Sequence, residues 1–129
     1  MEADVPKPSD AEVEILCILW DHEPASVRFV HEELCKKKQV GYTTTLKQMQ
    51  RMQEKEMIRR IDSDEKTHAY EAILQRDATR NSLFDRLVDT AFRGSAMDMV
   101  LHAIGRSTTS PEEIQALKAW LDKMEGKTL

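Results

Sequence analysis

Apolar residues recur along most of this chain at the three- and four-residue spacing of a helix face. Val13, Leu16, Cys17 and Trp20 fall on one such face, and Ile15, Ile18 and Leu19 widen it. The first helix is therefore expected to be buried on more than one side. Ser9 and Glu12 ahead of it have the Ser-x-x-Glu spacing of a capping box, and the run closes near Asp21-His22-Glu23, before Pro24. The residues before it read as a frayed tail. Ser26 is the N-cap of a second helix, with Val27, Val30 and Leu34 inward and Lys36, Lys37 and Lys38 at its negative end. Gly41 breaks that pattern. A third helix is expected from Thr43 or Thr44, with Leu46, Met49 and Met52 inward and Thr44, Lys47, Gln48, Arg51 and Lys55 outward.

The periodicity then shortens. Met57 to Asp62 and His68 to Ile73 are short mixed segments around a polar tip, Ser63 to Thr67, and predict a β-hairpin. After Gln75 helical spacing returns. Leu83, Phe84, Leu87, Val88, Ala91 and Phe92 form a broad apolar stripe that Gly94 stops. Ser95 and Asp98 open a shorter helix through Met97, Val100, Leu101 and Ile104, ended by Gly105. Ser110-Pro111-Glu112-Glu113 supplies an N-cap, a proline at the first helical position and a capping-box Glu. Ile114, Leu117, Trp120, Leu121 and Met124 complete the last helix, with Gly126 as its C-cap.

Composition narrows the class. No apolar run approaches the roughly 20 residues of a membrane span, so membrane insertion is not expected. The acidic start lacks the apolar core of a secretory signal, and two cysteines are too few for a disulfide framework. A reducing cytoplasm is the expected setting. The net charge of −4 argues against a nucleic-acid partner, yet it hides a local excess. Residues 26–60 hold nine bases and four acids, net +5, which leaves −9 for the other 94 residues. Such a block can focus a polyanion on one face. Charge alone leaves a solvated, salt-bridged surface equally open.

Order adds more. Helix, helix, helix, strand, strand, with a basic polar third helix before the hairpin, is the arrangement of a winged helix-turn-helix. The fold class expected is mainly α with a small β-hairpin: an N-terminal winged helix over 8–75 and a helical region over 76–126. About 50 residues in three amphipathic helices form too small a core to stand alone. A second copy of the chain is the simplest cover for their apolar stripes, through Leu83, Phe84, Leu87, Val88, Phe92, Val100, Leu117, Trp120 and Leu121, the alternative being that these helices fold back on the winged domain of their own chain.

Several segments also resemble the bacterial penicillinase-repressor family (BlaI/MecI/CopY). They are Pro8 to Leu16 with Trp20, Gly41 to Lys47 with Gln50 to Lys55, and His68-Ala69-Tyr70. Phe84 to Leu87, Phe92 to Ser95 and the Ser-Pro-Glu-Glu-Ile start at Ser110 extend the likeness over residues 8–125. The resemblance implies a cytoplasmic homodimer that represses by sitting on a dyad-symmetric double-stranded DNA operator. By position it puts Thr43, Thr44, Lys47, Gln48 and Arg51 on DNA, with Lys66 at the wing tip and Arg28 as further phosphate contacts. It also brings in a sensor protease as partner, although antibiotic-responsive members are cut at an Asn-Phe bond and Asn81 here precedes Ser82. The paired Cys-x-Cys of copper-responsive members is missing, since no cysteine follows Cys35. Glu56 stands where the family often has a helix-ending Gly.

Other chemistry is thinly supported. His31 and Cys35 lie at i, i+4, with Cys17 and His22 on the preceding helix, but the spacing matches no zinc pattern. Small buried thiols and a partly exposed histidine are the expected reading, with no metal and no cofactor. Met97, Met99 and Met124 are expected to fill packing gaps, and Trp20 and Trp120 to anchor the core. Asp85 and Asp89 sit beside arginines on a solvated helix face. No phosphate loop, nucleophile elbow or metalloprotease motif is present, so no enzymatic activity is expected. The competing reading is a winged-helix adaptor that binds protein rather than DNA, favoured by the overall acidity and by Glu54 and Glu56.

Overall fold

A computed structural model describes residues 7–61, 68–106 and 110–128. The elements run α1 (Asp10–His22), α2 (Val27–Cys35), α3 (Tyr42–Glu54), β1 (Ile58–Ile61), β2 (Ala69–Ala72), α4 (Arg76–Ala91), α5 (Ala96–Arg106) and α6 (Pro111–Thr128). The chain is thus mainly α with a small hairpin, and its first five elements form a winged helix-turn-helix. The expected wing tip, Lys66 included, lies outside the described residues.

Local chemistry sets the helix starts. The Ser9 hydroxyl accepts from the Glu12 amide at 3.3 Å while Glu12 Oε1 accepts from the Ser9 amide at 2.8 Å. The Ser26 hydroxyl accepts from the Phe29 amide at 3.1 Å. Ser110 and Glu113 repeat the reciprocal box at 3.0 and 3.1 Å. α3 begins one or two residues before the expected threonines. Gly41 serves as its N-cap in extended backbone, without a side-chain bond. At the other end Lys55 is the C-cap, the Glu56 amide donates to Gln53 at 3.0 Å, and the Met57 amide donates to Met52 at 2.9 Å. That double closure is a Schellman turn, and it needs a left-handed residue between Lys55 and Met57. Glu56 supplies it at φ 61°, so the exit toward the wing is kept without the family's usual glycine. Gly105 and Gly126 end nothing: α5 and α6 run past them. Gly94, at φ 84°, does close α4, its amide reaching the Val88 carbonyl at 2.8 Å.

β1 and β2 pair antiparallel, with Ile58 opposite Ala72, Arg60 opposite Tyr70 and Ile61 opposite Ala69. Alternation points the Tyr70 and Ala72 amides away from β1. Tyr70 exchanges both backbone bonds with Ala25, at 2.8 and 3.0 Å, and the Ala72 amide donates to the Glu23 carboxylate at 2.9 Å. The α1–α2 connection thus covers β2's outer edge, which sequence patterning did not anticipate.

The core of this part is Ile15, Leu16 and Leu19 of α1, Val27, Val30 and Leu34 of α2, Met49 and Met52 of α3, and Met57, Ile58, Tyr70 and Ala72. Each large side chain fully buried there contributes about 1.5–3 kcal/mol. Cys17 is exposed, as is Cys35, contrary to the expectation of buried thiols. Cys17 points off the α1 stripe because the buried face is centred on Leu16 and Leu19. Leu46 is half-buried, and Thr45 takes the inward position instead, its hydroxyl 3.5 Å from the Gly41 carbonyl.

The chain divides into two compact units, Met1–Leu83 and Phe84–Leu129. The boundary falls inside α4, later than the helix start at which the sequence suggested it. The start of α4 is held to α1: Trp20 Nε1 donates to the Leu74 carbonyl at 2.9 Å, and Arg76 bonds Asp21 and lies 5.7 Å over the Trp20 ring. In the second unit Val88 is the one buried apolar side chain among the described residues. Phe92 and Leu117 are half-buried, as is Leu83, the last residue of the first unit. Phe84, Leu87, Val100 and Leu121 stay exposed, as do Met97 and Met124, so these methionines fill no gap in their own chain. Trp120 is 59% exposed and anchors no core within the chain.

Replacing the left-handed Glu56 tests the Schellman turn. Glu56→Gly is expected to raise the unfolding free energy by about 0.5–1 kcal/mol, less whatever the freer unfolded chain takes back. Urea denaturation of the two proteins checks it.

Candidate nucleic-acid interface

α3 owes its orientation to its inward residues. Thr45, Met49 and Met52 are buried to 1% exposure or less. At about 100° per residue, the side opposite them carries Lys47 and Glu54, flanked by Thr43, Gln50 and Arg51. All five are exposed, and so is Thr44 on the shoulder. This face is turned from the one read off the sequence, because Thr45 rather than Leu46 completes the buried stripe. Gln50 is the residue that the sequence reading missed. The signal was a threonine able to return its hydroxyl to the carbonyl one turn back, which lets a polar residue face inward.

Gln48 belongs elsewhere. It is half-buried, and its Nε2 donates to Glu12 Oε2 of α1 at 3.4 Å. Lys55 Nζ reaches the same oxygen at 3.0 Å. The structure therefore separates Gln48 and Lys55 from the outward group and joins them to α1. Glu12 is 2% exposed. Burial alone would push its carboxyl up. The Ser9 amide, the Lys55 ammonium and the Ser9 hydroxyl outweigh that and hold it below the ordinary glutamate range.

The basic block sorts into paired and open cations. Lys36 bonds Glu33 at 2.6 Å, Lys38 bonds Glu14 at 2.6 Å, Lys55 bonds Glu12, and Arg59 bonds Glu71 at 2.6 Å across the hairpin. Lys47 and Arg51 have no ion pair among the described residues. Arg28 is exposed, with its guanidinium 5.8 Å over the Tyr42 ring, which also meets His31 edge-on at 5.5 Å. A groove of about 360 Å³ runs beside it, lined by Ser26, Arg28, Tyr42, Leu46, His68 and Tyr70. It joins the start of α2, the start of α3 and β2. The face thus presents hydroxyls, an amide and unpaired cations, groups that bind phosphate and base edges, with the Glu54 carboxylate at its C-terminal end. Among the described residues no cluster of three or more His, Cys, Asp or Glu could hold a metal, and no helix is long and apolar enough to cross a membrane.

Three helices, a paired hairpin and an open cationic face on the third helix define a winged helix-turn-helix transcriptional regulator. Residues 8–123 match the penicillinase repressor family, and the chain belongs to it. Proteins named "Transcriptional regulator BlaI" from two Mycobacterium tuberculosis strains are each 30% identical over 118 residues, covering 90% of this chain and 83% of theirs. A mutant of Lactococcus lactis ZitR is similar in structure at a TM-score of 0.48 and 16% identity, over 100% of this chain and 80% of that one. The family is one of regulators and not of enzymes.

The Glu12 bond set has a pH signature. A carboxyl held low stabilises the fold above the ordinary glutamate range, and that contribution is lost as pH falls through its depressed value. Glu12→Gln is expected to cost about 1–2 kcal/mol at neutral pH. The gap from the unsubstituted protein should close as the solution is acidified, read by denaturation at a series of pH values.

Proposed function

We propose that this chain is a homodimeric repressor that binds a dyad-symmetric DNA operator through α3 and the wing. The observation that carries it is the open pair Lys47 and Arg51 on a face shared with Thr43, Thr44, Gln50 and one acid, Glu54, at its C-terminal end, in a chain whose neighbouring cations are mostly matched by carboxylates. Lys47 and Arg51 hold phosphates, with Arg51 also able to read guanine, and Thr43, Thr44 and Gln50 meet base edges or backbone. Arg28, held against Tyr42, adds a phosphate contact from α2, and Lys66 adds one from the wing. Gln48 acts from behind, by fixing α3 to α1.

Homodimerisation is supported by the second unit. Phe84, Leu87, Val100, Trp120 and Leu121 lie 39–59% exposed, on helices with little of their own chain to cover them. Val88, Phe92 and Leu117 of the same unit are buried or half-buried, and Leu83, just before it on α4, is half-buried. A two-fold pair buries such self-complementary patches and matches the symmetry of a dyad operator. The regulator acts in the cytoplasm, where that DNA is. A sensor protease stays outside this reading, because Asn81-Ser82 offers no Asn-Phe bond.

Lys47→Ala with Arg51→Ala is expected to weaken binding to every duplex and to lower the salt slope by about 2, one for each lost phosphate contact. Binding unchanged in the double variant would remove α3 from the interface. Retention on mixed duplex at low salt separates this reading from the adaptor. Sedimentation should give twice the 14.9 kDa chain mass, and Leu87→Glu should shift it to the single chain.

A further inference from the structure

We propose that Tyr42 is a positioning residue for DNA binding: its ring holds Arg28, still fully charged, at a groove between α2, α3 and β2 that seats one backbone phosphate. The phosphate seat rests on the DNA reading above. The groove, of about 360 Å³, is lined by Arg28 from α2, Tyr42 and Leu46 from α3, and His68 and Tyr70 from the β2 side. No carboxylate is among the described residues that line it. Arg28 is exposed in the first turn of α2 and has no ion pair among the described residues, although Glu32 lies one helical turn further on. A concave surface with one open cation and no acid is complementary to a single anionic group.

Tyr42 is the first residue of α3 and is 42% exposed, so little of its ring is needed by the core. The ring takes the Arg28 guanidinium over its face at 5.8 Å and meets His31 edge-on at 5.5 Å. Arg28 and His31 are three residues apart and share one face of α2. His31 Nδ1 lies 3.2 Å from Oγ1 of buried Thr45 on α3, so the ring is set from both helices. A carboxylate partner would neutralise the arginine, as Glu12 does Lys55. An aromatic face restrains the guanidinium without taking its N–H groups, which stay available to phosphate oxygens. Part of the side-chain ordering that binding requires is then already done in the free protein.

The occupant follows from where the groove lies. Tyr42 is followed directly by exposed Thr43 and Thr44, so the groove continues the outward face of α3 at its N-terminal end. Its other wall belongs to β2, one strand of the hairpin. A duplex touched by both α3 and the hairpin carries its sugar-phosphate backbone between them, across this groove. A contact of that kind fixes register and orientation and reads no base. Loss of Arg28 should therefore weaken every duplex alike.

The test uses the full chain and a short mixed-sequence DNA duplex, titrated at a series of salt concentrations, with circular dichroism to check that each variant is folded. Arg28→Ala is expected to weaken binding about tenfold and to lower the salt slope by about 1. Tyr42→Leu is expected to weaken it about threefold, Tyr42→Phe to keep the unsubstituted value, and Tyr42→Leu to add nothing in an Arg28→Ala background. Lys37→Ala removes an exposed cation just beyond α2 that lines a different groove, and should leave affinity and slope unchanged. An unchanged slope in Arg28→Ala, or an equal loss in Lys37→Ala, overturns the phosphate seat. A Tyr42→Leu loss that persists in full beside Arg28→Ala, or that Tyr42→Phe shares, overturns the positioning role. Duplex binding that needs Lys47 and Arg51 but is indifferent to Arg28 sinks the seat alone, whereas an unsubstituted protein that binds no duplex sinks the DNA reading and the seat together.

Discussion

The Glu12 carboxylate closes the first turn of α1 and also holds α3. Its Oε1 accepts from the Ser9 amide, completing the capping box, while Oε2 takes Lys55 and Gln48 from α3. A buried charge is tolerated only when its lone pairs are filled, and here two helices fill them. The position of α3 is therefore coupled to the start of the chain's first helix. The outward direction of Lys47 and Arg51 follows from it. Gln48 and Lys55, on the neighbouring flank, are spent on α1, which fixes how far the helix can roll. Met49 and Met52 alone would seat α3 less sharply, since flexible thioethers pack acceptably in more than one rotation.

What the sequence made legible was whatever is set within a few residues. The caps at Ser9, Ser26 and Ser110 and the stop at Gly94 depend on local hydrogen bonds, and spacing reveals them. The helix–helix–helix–hairpin order followed from changes of period. The rotation of α3 was harder to see, because Thr45 turns inward by bonding Gly41 and His31, and His31 lies on another helix. Ala25's bridge to Tyr70 is non-local in the same way, and no periodicity reports it. The charge count was right in sum and silent on pairing. It could not show that Lys36, Lys38, Lys55 and Arg59 find carboxylates while Lys47 and Arg51 do not. Gly105 and Gly126 misled for the opposite reason. A glycine permits a helix end without imposing one when the flanking residues continue the turn.

α3 is held differently at its two ends. At its C-terminal end the Schellman turn at Glu56 and the Lys55–Glu12 pair fix both backbone and side chain, and neither bond depends on α2. At its N-terminal end the cap is Gly41, which offers no side chain to the orphan amides of the first turn. Order there comes from Thr45, His31 and the α2–α3 connection instead. The end that carries Thr43 and Thr44 is consequently the more adjustable one.

The second unit places a different demand on the molecule. Ser95 and Ser110 cap the starts of α5 and α6, so backbone hydrogen bonding does not limit them. Side-chain burial does: α5 has no buried residue, and in α6 Leu117 alone among the described apolar side chains falls below the exposed range. At about 25 cal/mol per Å² of apolar surface removed from water, faces bearing Trp120, Leu121, Leu87 and Phe84 hold much of their stabilising potential in reserve. Realising it requires another surface, and for a two-fold pair that gain depends on chain concentration. Folding of the C-terminal helices and occupancy of a dyad would then be linked through one association constant. The winged unit, with its own closed core, would remain folded across the range in which that constant decides whether one α3 or two meet the duplex.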